Sequence, residues 1–194
     1  MSLSELTPAA RHARIADDFS EVAEQVADWE ALTPVAGWEA RDVVGHLTTW
    51  LPGLLSAGGV ELDAPAPVDD DPVAAWRAHA AAVQALLDDP ERASAEFSHP
   101  QIGSMPVDQA IDRFYTADVF MHTWDLARAS GHDVSLDPEF CTQLLTGMEA
   151  MVDVLRDSGQ YGPRVEVPAD ADPQTRLIGF IGRDPFWRPD TPSS

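Results

Sequence analysis

The sequence predicts an all-α fold: a four-helix bundle with long crossover connections, extra helices and a short irregular or hairpin segment. Three observations predict it. Apolar residues recur every three or four positions in successive long segments, Asp/Thr–Pro pairs and glycines punctuate those segments, and the main connections run short, long, long, short. Two long connections are what parallel neighbours require, in place of simple up-and-down topology.

Thr7-Pro8 reads as an N-cap with proline in the first turn. The first helix is expected to run to about Leu32, with Ile15, Phe19, Val22, Val26 and Trp29 on one face. The turn Thr33 to Gly37 is short, so the second helix, beginning near Trp38 or Glu39, should return antiparallel beside the first. Val43, His46, Leu47, Trp50 and Leu54 face inward on it, and Pro52 should kink or end it, because proline removes a backbone donor. A Gly-, Pro- and Asp-rich crossover, 57–71, leads to a third helix from Pro72 to about Asp88, with His79 at its boundary. Residues 89–106 hold a small hairpin or lid. A central helix from Val107 to Ser130 ends on Gly131 as a left-handed cap. A fifth runs from Pro138 to about Ser158, with Phe140, Leu144, Met148, Met151 and Leu155 inward, and a short one spans about Gln174 to Ile181. The whole chain, 1–194, is expected to be a single domain that includes the tail 161–194.

A net charge of −21 repels phosphate backbones and anionic lipid, so neither nucleic acid nor membrane is expected as a partner. Cys141 is the single cysteine, which excludes an internal disulfide and a cysteine-cluster metal site. The N-terminus carries no signal-like apolar run. A cytoplasmic setting is the expectation, and homodimerisation stays open.

The polar intrusions carry the chemistry. In FYTADVFMHTWDLARASG, 114–131, Asp118, His122 and Asp125 share one helical face in an apolar run. Buried charge must be compensated, either by a hydrogen-bonded Asp–His pair alone or by a divalent ion. His46 interrupts the apolar face of another helix, where a lone core histidine is more often hydrogen-bonded than metallated. Together, His46, Asp118 and His122 offer an open tridentate site between facing helices, of the kind catalytic zinc occupies; nickel and iron are alternatives. Asp125 would orient an imidazole or tie down a neighbouring element, with a local contact to Arg128 as the competing role. Trp50 and Trp124 are candidates for the pocket wall. No catalytic residue is assigned, and Cys141 lacks the neighbours that would make it a nucleophile.

His46 within WEARDVVGHL, Asp118 to Arg128 within ADVFMHTWDLAR, and the tail RVEVPADADPQTRLIGFIGRDP together resemble the DinB-like metal-binding bundles related to the N-terminal domain of mycothiol-dependent maleylpyruvate isomerase. The resemblance covers nearly the whole chain. It implies a four-helix core in which one histidine joins a carboxylate-x-x-x-His pair around a divalent metal: His46, Asp118 and His122. The isomerase has Glu where this chain has Asp118. The implied activity is thiol-dependent transfer or isomerisation, with a low-molecular-weight thiol of mycothiol type as cosubstrate and a small electrophile. The rival reading is a non-catalytic metal-binding sensor or partner-binding module.

Overall fold

Four helices form the core: α1 (Pro8–Ala23), α2 (Ala40–Ala57), α3 (Pro72–Leu87) and, later in the chain, a helix that ends at Ala129. The computed structural model describes residues 2–63, 67–100, 102–150, 152 and 161–189. Between α3 and the last core helix lie α4 (Pro90–Ala93), an antiparallel hairpin of β1 (Glu96–His99) and β2 (Gly103–Pro106), and α5 (Val107–Ala110). Phe97 pairs with Met105 in that hairpin and buries its ring against Gly58, where a side chain would collide with it. A wide π turn (Ile111–Thr116) joins α5 to α6 (Ala117–Ala129). α7 (Pro138–Glu149) and α8 (Pro173–Phe180) pack on each other beside the four-helix bundle and extend its hydrophobic core with Phe140, Leu145, Leu177 and Ile178. The fold is all-α, with a hairpin and additional helices around the bundle.

Local chemistry sets the helix starts. Thr7, Asp71, Asp137 and Asp172 each accept a backbone N–H three residues on, with proline in the first turn after each. Gly131, at φ 73°, follows α6 in the left-handed conformation expected of it.

Several expected boundaries are corrected. α1 stops at Ala23, short of Leu32, because 29–40 folds back on itself: Leu32 bridges Glu39, and Ala40 and Arg41 donate to Ala31 and Trp29. The connection to α2 is therefore long. α2 does not lie beside α1 but at the opposite corner, with α1 and α2 each packing on both α3 and α6. Nor does α2 end at Pro52. It runs on to Ala57, held by the buried Leu51 and Leu55 on either side of the proline. His79 is buried, not at a boundary. Met151 and Leu155, and the expected end of the fifth helix at Ser158, lie outside the described residues. Among the described residues, no helix is long and apolar enough to cross a membrane.

Candidate metal centre

The centre lies where α2 meets α6. His46 comes from the middle of α2, while Asp118 and His122 are one turn apart on α6. His46 Nε2 lies 2.8 Å from Asp118 Oδ2, and His122 Nε2 lies 3.5 Å from Asp118 Oδ1. Ligand atoms of these residues all fall within 4.8 Å of one another. The two imidazoles meet edge to face, with ring centres 5.0 Å apart. The side chain of His122 is 5% exposed and that of His46 is 31% exposed, so one flank of the group is closed by protein and the other faces solvent.

Two of the three, Asp118 and His122, are held from behind. The indole Nε1 of Trp50 donates to Asp118 Oδ2 at 3.1 Å. Asp125, completely buried, places Oδ2 2.9 Å from Nδ1 of His122, a close contact that falls off the line of the ring N–H. Arg183, just beyond α8, reaches both Asp125 oxygens at 3.4 Å. Asp125 thus lies against the His122 imidazole and ties the tail to the core through Arg183. Arg128 turns away, to Asp133 and the carbonyl of Pro185.

Burial alone would raise the pKa of Asp118, but His122 and His46 outweigh it and hold the carboxyl below its ordinary range. Burial would lower His122, yet Asp118 and Asp125 pull its pKa upward. The electrostatics are those of an imidazole and a carboxylate stabilising each other's charge.

Trp50 stands at the centre as expected. Trp124 does not: two positions from His122 on the helix, it points to another side and packs under the Arg128 guanidinium. The second indole at the centre is Trp38, unforeseen in that role, stacked on His122 at 5.7 Å and tilted over His46 at 5.1 Å. Arg183 was also missed as a site residue, although it stands in the GRDP of the tail. Cys141 is buried and has its pKa pushed up to about 12 by burial and then by Asp137 and Asp172, which leaves it inert as a nucleophile.

The uncharacterized protein Rv0738 of Mycobacterium tuberculosis strain H37Rv is 30% identical to this chain over 184 residues, spanning 92% of this chain and 98% of that protein. The uncharacterized protein MT0763 of strain CDC 1551 matches over the same length with the same identity. The chain belongs to the family of these mycobacterial proteins. No family model matches it, and no solved structure matches it.

Within this mycobacterial family the chain's donor set can be tested for fit to a divalent ion. Ligands held about 2.0–2.1 Å from a tetrahedral ion lie ~3.3 Å from each other; here the two imidazoles stand 2.8 and 3.5 Å from different oxygens of Asp118, and one ligand atom from each of the three residues falls within 4.8 Å of the others. His122 also has the carboxylate behind its second nitrogen that metal-binding histidines commonly have. The residues fit.

Proposed function

We propose that the chain binds one divalent metal ion, zinc by first preference, through His46, Asp118 and His122, and uses the site for transfer or isomerisation chemistry between a small thiol and a small electrophile. The observation that carries this reading is the meeting of two imidazoles and one carboxylate, from two helices, at a point closed on one side and open on the other. The resemblance to DinB-like bundles related to the maleylpyruvate isomerase domain adds the thiol, for which a mycothiol-type molecule is first choice. A bound divalent ion would supply Lewis acidity, lowering the pKa of a coordinated thiol so that thiolate is present at neutral pH.

The chain's own residues do the rest. Asp125 and Arg183 hold His122 in place, Trp50 fixes one oxygen of Asp118, and the indoles of Trp38 and Trp50 wall the open side with apolar surface. Such a wall excludes water from an approaching electrophile and strengthens polar contacts beside it. No side chain of the protein is needed as nucleophile, in keeping with the inert Cys141.

A second reading, metal binding without catalysis, draws on a cleft of about 710 Å³ between α1, α6 and 132–138, lined by Ile15, Phe120 and Thr123 rather than by the triad. Thiol consumption with a panel of small electrophiles separates the two. Metal-dependent turnover by the wild type, lost in His46→Ala and Asp118→Ala variants of matched fold, supports the enzyme. Turnover no faster than that of free metal, or unchanged by both substitutions, supports the binding module.

A further inference from the structure

A second group of buried polar side chains lies deeper in the bundle and takes no part in the candidate metal centre. His12 on α1 is 1% exposed, His79 on α3 is 3% exposed, and Tyr115 in the π turn is fully buried. The phenol ring neighbours both imidazoles, with ring centres 6.1 Å from His12 and 5.7 Å from His79. His12 Nε2, His79 Nε2 and the Tyr115 hydroxyl are all buried without a hydrogen-bond partner among the described residues. Such groups are rare in folded proteins because each costs about 1–3 kcal/mol when left unpaired.

The hydrogen bonds around His12 fix its tautomer. Gln84 gives its amide nitrogen to the carbonyl of Ala9 and to Asp88, which leaves Gln84 Oε1 as the acceptor facing His12 Nδ1 at 2.7 Å. Nδ1 therefore carries the proton, and Nε2 presents a bare lone pair to the core. Burial lowers the pKa of both histidines, with His12 adding to the effect on His79, so the cluster is neutral.

We propose that His12 Nε2, His79 Nε2 and the Tyr115 hydroxyl form an internal site for a bound water molecule, shared by α1, α3 and the π turn. Three partners is the usual number for a buried water. A cation is the poorer occupant, because no carboxylate is among the three groups to balance its charge. A groove of about 420 Å³ between α1 and α3, lined by Ala13, Ala16, Ala80 and Ala81, borders His12. The site reaches toward the metal centre through ring packing: Tyr115 lies 5.8 Å from Trp50, whose indole holds Asp118.

The test is a crystal structure of the full chain at a resolution that shows ordered water, with wild type and Tyr115→Phe compared. A peak about 2.7–3.2 Å from the three atoms is expected in the wild type. Tyr115→Phe should raise the unfolding equilibrium constant about 5- to 150-fold, the equivalent of one unpaired buried group. No peak, or a peak near 2.1 Å with anomalous scattering at a metal edge, overturns the proposal. So does a Tyr115→Phe chain that keeps the peak at wild-type stability, since Tyr115 would then not belong to the site. The density here does not depend on whether His46, Asp118 and His122 bind an ion.

Discussion

Asp125 has no exposed surface and holds two partners at once, His122 on its own helix and Arg183 from the tail. Removing one member of a buried ionic group leaves the others uncompensated, which costs about 3–5 kcal/mol. Asp125→Ala should therefore lower the free energy of urea unfolding by that amount, well beyond a truncation at an exposed carboxylate such as Asp18. A loss under ~1 kcal/mol would show that Arg183 does not depend on Asp125. His79 supplies a pH prediction. Burial, and then His12, lower its pKa from 6.5 to about 4, so between those values the unfolded chain binds more protons than the folded one. Its contribution is complete above pH ~6.5 and is lost as pH falls toward about 4, up to roughly 3 kcal/mol at ~1.4 per pKa unit. His12 on α1 and Tyr115 in the π turn are the titratable groups facing it. The stability difference between wild type and His79→Gln should shrink with acidification over that window; a constant difference would contradict the assignment. At this scale, Asp118, His122, Asp125 and His46 were legible because each interrupts an apolar face. Trp38 and Arg183 were not, since they reach the site from a turn and a tail whose positions depend on tertiary folding.

The helices are placed by their ends and by the close approaches between them. Gly182, at φ 86°, lets the chain turn from α8 so that Arg183 meets Asp125, and a Cβ there would lie 2.7 Å from the backbone of Gly162. Gly182→Ala should lower stability by at least the ~1–3 kcal/mol of a strained backbone. Gly147, inside α7, has nothing within 4 Å of where a Cβ would stand. Gly147→Ala should raise stability by about 0.4–1 kcal/mol. Thermal melts of the two variants should therefore move in opposite directions, and a shared direction would refute this view of the two glycines. Caps and glycines made the starts of α1, α3, α7 and α8 readable from the sequence. The end of α1 was not, because Val26 and Trp29 continue the helical period while the backbone of 29–33 pairs with the start of α2. Tertiary hydrogen bonds overrode the local pattern there. Burial of Leu51 and Leu55 carries α2 through Pro52, and the π turn left no mark in residue type that periodicity could detect.

Across the whole molecule, α2 and α6 supply the candidate ligands, while α1 and α3 complete the bundle behind them. The all-α class and the two candidate ligand helices followed from periodicity, but the diagonal placement of α1 and α2 did not, because it depends on a connection whose length was misjudged. An ion held by α2 and α6 would link separate parts of the chain, so metal should stabilise the folded state by an amount that grows with the logarithm of free metal concentration above its Kd. The central claim is that His46, Asp118 and His122 bind one ion, and element analysis of chain purified without chelator or added metal tests it most directly. The account predicts close to one divalent ion per wild-type chain and a near-complete loss in both His122→Ala and Asp118→Ala variants that remain folded. A metal-free wild type that also fails to take up zinc on titration, or an ion content unchanged by the two substitutions, would contradict it.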